Sequence, residues 1–125
     1  MADTQQVQYA SARVELGEAV AAKGVMIAIK TTDAEAYKAA DTANLRVIGL
    51  NEEVGVEGDT ITAYAGCFLF DNSSVYPVTQ AYIGANVYVE DEITVSTSAG
   101  SNSIVAGKCV DVVAEGVYVQ IGVAV

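Results

Sequence analysis

Hydrophobic and polar positions alternate over short stretches of this chain, and almost no stretch has the period of a helix. Residues 60–64 and 117–121 place apolar side chains at every second position, the pattern of a strand with one buried face. Residues 24–29 and 67–70 are apolar at nearly every position and too short for independent helices, which favours strands buried on both faces. Turn residues separate these stretches, so the sequence predicts about nine short strands.

The stretch from 64 to 92 holds both phenylalanines and the only proline, and we expect the core to be densest there. Its pattern predicts a strand at 67–70, one short helical turn near residues 79–83, and a return strand at 86–89. The flanking regions predict a meander over residues 24–50 and a closing hairpin, whose first strand bends at Gly107. The predicted strands lie at 24–29, 37–40, 45–50, 60–64, 67–70, 86–89, 93–96, 104–113 and 117–121, with a strand or turn preferred at 12–23.

These elements indicate an all-β fold, a small antiparallel β-barrel or sandwich whose edges have to be covered. At 125 residues the chain fits one domain. We divide it into an extended N-terminal arm, residues 1–11, and a β-barrel or sandwich domain, residues 12–125. Frayed termini are commonly polar and aperiodic like this arm, but Val7 and Tyr9 alternate with glutamines as in a strand added to another sheet. The predicted binding residues of the arm are Asp3, Thr4, Gln5, Gln6, Val7, Gln8 and Tyr9.

Charge narrows the range of partners. Six basic residues against sixteen acidic ones give a net charge of -10, which repels phosphate backbones and argues against nucleic acid. No window approaches the ~20 continuous apolar residues that span a bilayer, so we expect no membrane partner. The first residues are polar and acidic rather than signal-like, which predicts synthesis in a cytoplasm.

Two cysteines, Cys67 and Cys109, occur in a chain without histidine, and their wide spacing matches no zinc signature. Each lies in an apolar stretch, so we expect two small buried apolar residues. A disulfide stays open as an alternative if their strands are neighbours.

The residues for common catalytic chemistry are missing. Histidine, the commonest general base, is absent, and no phosphate-binding or nucleophile motif occurs, so we expect neither an enzyme nor a cofactor. The acidic clusters at 51–53 and 57–59 lack the ligand spacing of a calcium loop, which predicts no metal. A carboxylate pair such as Glu53 with Glu90 lacks tryptophan platforms for sugars. Residues 72–74 fit the N-glycosylation pattern, and we expect a turn there.

Several segments, in consistent order between Glu18 and Ile121, resemble the cement or decoration proteins of tailed bacteriophage heads. The resemblance implies a small β-rich protein on the outside of the capsid that clasps adjacent major capsid subunits, commonly as a trimer, and has no catalytic residues. The segments are Asp-Thr-Ala-Asn-Leu-Arg-Val-Ile-Gly at 41–49, Gly-Cys-Phe-Leu-Phe-Asp-Asn-Ser at 66–73, Val-Thr-Gln-Ala-Tyr-Ile-Gly at 78–84, Val-Tyr-Val-Glu-Asp at 87–91, Ser-Ile-Val-Ala-Gly at 103–107 and Gly-Val-Tyr-Val at 116–119.

By this resemblance we expect a structural virion protein, made in the host cytoplasm and located on the outer capsid surface, which stabilises the capsid lattice. Its expected partners are the major capsid protein and itself, as a homo-oligomer with a trimer favoured. The alternative is a host-receptor or carbohydrate-binding β-module on a virion surface, for which Tyr9, Tyr76 and Tyr118 are the candidate aromatics. A β-rich accessory subunit of an enzyme is a third hypothesis.

Overall fold

The computed structural model describes residues 11–122, which form ten strands and one short 3₁₀ turn. The fold is therefore all-β, as the sequence predicts, and the helical turn lies within the predicted stretch. Within residues 11–122, no helix has the length and apolar character required to cross a bilayer. The elements are β1 (Ser11–Glu15), β2 (Met26–Lys30), β3 (Glu35–Lys38), β4 (Leu45–Asn51), β5 (Thr60–Tyr64), β6 (Gly66–Asn72), the 3₁₀ turn (Gln80–Tyr82), β7 (Asn86–Asp91), β8 (Thr94–Ser96), β9 (Val105–Val113) and β10 (Gly116–Ile121).

The first half of the described chain forms a five-stranded antiparallel sheet, which we call the first sheet. Its strand order is β1-β5-β4-β2-β3. The predicted meander is therefore wrong in its order, because β4 pairs with β2 and leaves β3 at the edge. The physical reason is burial: Met26, Ile27 and Ala28 of β2 are fully buried and belong at the centre of a sheet, whereas the short β3 is mostly half-buried.

The second half forms a closed barrel with the strand order β10-β6-β8-β7-β9. The predicted closing hairpin is present, with β9 and β10 paired antiparallel from Gly116 opposite Val113. One pair departs from the antiparallel prediction, because β6 and β8 run parallel through Asp71 opposite Thr94 and Asn72 opposite Val95. The register of β9 against β7 shifts beside Gly107, where the sequence predicts a bend.

Two apolar clusters hold these layers together, and β2 contributes to both. Met26 and Ala28 belong to the larger cluster, which fills the barrel and joins it to the first sheet. Ile27 points to the opposite side, where it belongs to a second cluster with Leu16 and Val20. The first sheet is thus covered on both faces, which explains why β2 is apolar without alternation.

The prediction that residues 67–70 are buried on both faces is wrong. Along β6 burial alternates: Phe70 is buried, Phe68 is half-buried, and Cys67 and Leu69 are exposed. The reason is that, within residues 11–122, no second layer covers the outer face of the barrel at β6, so only one face of the strand meets the core.

Candidate interaction surfaces

The arm residues predicted to bind a partner, Asp3 to Tyr9, lie outside residues 11–122. They precede β1, an edge strand of the first sheet that pairs with β5 on one side. Ser11, the last residue of the predicted arm, already lies in this strand, opposite Tyr64. Within residues 11–122 no strand pairs with Ser11–Glu15 on the other side, but the next residue, Leu16, forms an isolated parallel bridge with Ala36 of β3. Backbone N–H and C=O groups along such an edge are a template for an added strand.

Arg13 fixes the position of β1 against its neighbour. Its guanidinium donates to the Thr62 hydroxyl at 2.7 Å and lies 3.4 Å from a carboxylate oxygen of Glu53. The same Glu53 oxygen accepts the backbone N–H of Thr62 at 2.7 Å. Both charged side chains are about half exposed, so the ion pair itself adds little stability. Its effect is to tie β1, β5 and the connection after β4 into one unit.

A groove with a volume of about 870 Å³ lies between the start of β4 and the outer side of β9, and we call it the basic groove. Its lining includes Arg46 and Lys108, two of the six basic residues of the chain, and within residues 11–122 it includes no acidic residue. Its buried side is apolar, with Val47 and Ile104, and its exposed rim carries Val105. Apolar surface combined with a few polar groups is typical of binding sites of this volume.

Sequence reasoning missed the basic groove. Arg46 and Lys108 are far apart in the sequence and come together only because β4 packs against β9. The one available signal was the scarcity of basic residues, since each of them is unusual in so acidic a chain.

Tyr37 and Asp33 form a short side-chain hydrogen bond at the turn between β2 and β3. The Tyr37 hydroxyl donates to Asp33 at 2.6 Å, and the backbone N–H of Glu35 donates to the same carboxylate at 2.8 Å. These bonds hold the pKa of Asp33 below its ordinary value, and the bond to Asp33 raises the pKa of Tyr37 to about 12. The Lys30 ammonium lies 5.4 Å from the centre of the Tyr37 ring. The arrangement closes the turn between β2 and β3.

Asp41 also joins two segments through its side-chain carboxylate, and these segments are far apart in the sequence. Its two carboxylate oxygens accept the backbone N–H groups of Ser101 and Asn102 at 2.8 and 2.9 Å. These bonds hold the pKa of Asp41 below its ordinary value. The carboxylate thereby attaches the loop before β9 to the segment that precedes β4.

The two cysteines differ in their environment. Cys109 is buried, as predicted, but Cys67 is exposed, so the prediction of two buried cysteines is wrong for Cys67. Both thiols are free. The open alternative of a disulfide fails because β10 lies between their strands: Cys67 is opposite Gln120, and Cys109 is opposite Val119.

The other predicted polar sites are not brought together. Within residues 11–122, no group of three or more acidic or cysteine side chains is placed to hold a metal ion. Glu53 is paired with Arg13 in the first half of the chain, whereas Glu90 lies on β7 of the barrel. Asn72, for which the sequence predicts a turn, is the last residue of β6, and its side-chain oxygen and nitrogen both form hydrogen bonds with the backbone of Val78.

Comparison of the chain with protein-family models, with curated proteins and with solved structures found no match.

Proposed function

We propose that the chain is a structural virion protein that binds the outer surface of a bacteriophage head and stabilises the lattice of the major capsid protein. The observation that supports this most directly is the edge strand β1, which begins at Ser11, the last residue of the arm, and whose outer side pairs with no strand within residues 11–122. An arm joined to an open sheet edge is suited to strand addition, in which backbone hydrogen bonds supply affinity and alternate side chains supply specificity.

The acidic body agrees with this role. A protein on the outside of a shell does not meet packaged DNA, and a net charge of -10 would oppose such contact. Attachment at many equivalent lattice positions multiplies a modest affinity, because copies that also contact one another bind at a high effective concentration. The proposal accordingly requires no catalytic group.

The test is to mix the purified protein with expanded phage heads that lack it. We expect binding that saturates at a fixed number of copies per head, together with greater resistance of the heads to heat or chelator. Failure of the full chain to bind such heads would overturn the proposed function.

The same assay tests the arm. Deleting residues 2–10, or replacing them with a glycine-serine segment of equal length, should lower occupancy while circular dichroism shows an unchanged body. If both variants occupy the heads as fully as the parent chain does, the arm does not contribute to binding, and the proposed function still stands.

A host-receptor or carbohydrate-binding module is the second candidate function. The observation in its favour is that Tyr76 and Tyr118 are 54% and 37% exposed, as aromatics that stack on sugars have to be. Tyr9, the third predicted aromatic, lies outside the described residues. If Tyr76→Ala and Tyr118→Ala abolish attachment to the host while particle stability is unchanged, this second function replaces the first.

A further inference from the structure

The connection between β4 and β5, residues 52–59, combines exposed carboxylates with exposed valines, and we call it the acidic loop. Val54 and Val56 are 51% and 61% exposed. Glu52 and Glu57 flank them, and both are exposed. Within residues 11–122, Val56 is the second most exposed large apolar side chain after Val75, and neighbouring exposed apolar groups are typical of contact surfaces.

Hydrogen bonds to the segment after β1, and one within the loop, hold the acidic loop in place. Gly55 and Val20 exchange both backbone hydrogen bonds, at 2.9 and 3.0 Å. The backbone N–H of Val56 donates to the Asp59 carboxylate at 2.9 Å, and Gly58 donates to the carbonyl of Leu16 at 2.8 Å. A loop fixed in this way loses little conformational entropy on binding, which favours its use as a rigid contact element.

The basic groove is complementary to this loop in charge and in polarity. Among the described residues that line it are Arg46 and Lys108 and none that is acidic, although acidic residues outnumber basic ones sixteen to six in the chain. Its rim presents Val105 and Val110, which are 40% and 47% exposed. Carboxylates of the acidic loop would meet its two cations, and the loop valines would meet its apolar rim.

The loop and the groove of one molecule cannot meet. Arg46 lies at the start of β4, and the acidic loop begins where β4 ends at Asn51. At ~3.3 Å per residue the intervening strand separates them by roughly 17 Å. Contact between the two surfaces therefore requires two copies of the chain, and it joins different surfaces on each copy.

We propose that the acidic loop of one copy docks in the basic groove of the next, so that copies associate head to tail. Such a contact closes into a ring when the rotation between copies allows it, and a two-fold dimer does not use it. The inference concerns contact between copies and stands independently of what the assembled protein binds. A failure here would leave the head-binding assay unaffected.

The experiment measures the mass of the full chain in solution by light scattering and sedimentation over a wide concentration range. We expect one discrete species of three or more copies. Arg46→Glu with Lys108→Glu should weaken association by roughly 100-fold or more, because like charges would then face each other. Glu52→Lys with Glu57→Lys should have a similar effect. Combining all four substitutions in one chain should restore association, since the charges become complementary again.

Lys23→Glu with Lys38→Glu is the matched control, because it changes the net charge as much as the groove variant does at residues outside the groove. It should associate like the parent chain, and circular dichroism checks the fold of every variant. A parent chain that is monomeric or dimeric throughout would overturn the proposal. The proposal would also be overturned if the folded groove variant had the same mass in solution as the parent chain. It would be overturned as well if the variant with all four substitutions failed to associate although both double variants are folded.

Discussion

Asn51 binds both backbone polar groups of Val25. The side-chain oxygen of Asn51 accepts the backbone N–H of Val25 at 2.9 Å, and the backbone N–H of Asn51 donates to the carbonyl of Val25 at 3.2 Å. The side-chain nitrogen donates to the carbonyls of Ala22 and Glu53, both at 2.8 Å. Asn51 is fully buried, so every polar atom of its side chain is satisfied by the backbone. One residue at the end of β4 thus holds the segment that covers the second apolar cluster.

Replacing Asn51 by alanine should be among the most destabilising polar substitutions in the chain. Three backbone groups would lose their partner in a buried setting, and we expect the free energy of unfolding to fall by ~3 kcal/mol or more. Urea denaturation measures this loss. Asn86→Ala is the control, because Asn86 is exposed, and it should change stability by less than ~0.5 kcal/mol. Equal effects of the two substitutions would contradict the role given to Asn51.

Asp41→Asn should remove a pH-dependent part of the stability. The pKa of Asp41 is lowered in the folded chain, so its contribution is complete above the ordinary value of 3.8 and is lost as the pH falls through the lower folded value. An amide has one acceptor oxygen and cannot serve both N–H groups. The thermal midpoints of the two proteins should therefore differ at neutral pH and converge below pH 3.8. Glu115→Gln is the control, and a pH-independent difference for Asp41→Asn would contradict the prediction.

Asp33→Asn should lower the pKa of Tyr37. The hydrogen bond to the Asp33 carboxylate stabilises the protonated phenol and raises its pKa to about 12 from 10.0. Because the folded pKa is raised, this stabilisation is complete below pH 10.0 and is lost as the pH rises through about 12.

Phenolate absorbance against pH measures the effect, with Tyr37→Phe identifying the contribution of Tyr37. The Asp33→Asn protein should lose the highest titration step, whereas Tyr82→Phe should retain it. Persistence of that step in Tyr37→Phe would show that another tyrosine is responsible.

Thiol labelling should distinguish the two cysteines. Cys67 is exposed and Cys109 is only 2% exposed, so one thiol per chain should react in the native state and two after unfolding. Partial burial raises the pKa of Cys67, so it should react more slowly than a free thiol at neutral pH. Cys67→Ser should abolish native labelling. Cys109→Ser should preserve it and cost ~1–3 kcal/mol, since it buries a hydroxyl. Two reactive thiols in the native state would contradict the assigned burial.

The strands could be located from sequence because turn residues and alternation mark them locally. The bounds of β5 match the predicted stretch, and the closing hairpin was predicted from the turn residues at 114–116 and the alternation at 117–121. The prediction that failed was the environment of β6. β2 and β6 have similar apolar runs, yet within residues 11–122 β2 has a second layer across it, supplied by Leu16 and Val20, and β6 has none. Because such a layer comes from another part of the chain, the local sequence pattern of β6 could not show that no layer covers this strand.

The candidate surfaces were less predictable than the strands. The sequence indicated the arm, whose residues lie outside 11–122, and it indicated neither the basic groove nor the open side of β1. Both depend on strand order, and the order differs from a meander because β4 pairs with β2. A strand's sequence restricts its neighbours weakly, since any strand of suitable length and polarity can occupy the position.

The position of β10 between β6 and β9 has a consequence for synthesis on the ribosome. The strands of the first sheet have all been translated by Tyr64, but the barrel cannot close until Ile121 has emerged. At about 5–20 residues per second, this interval lasts several seconds. During that time Met26 and Ala28 of the nascent chain lack their barrel partners. We therefore expect the growing polypeptide to be most prone to aggregation in this interval, and chaperone binding to be concentrated there.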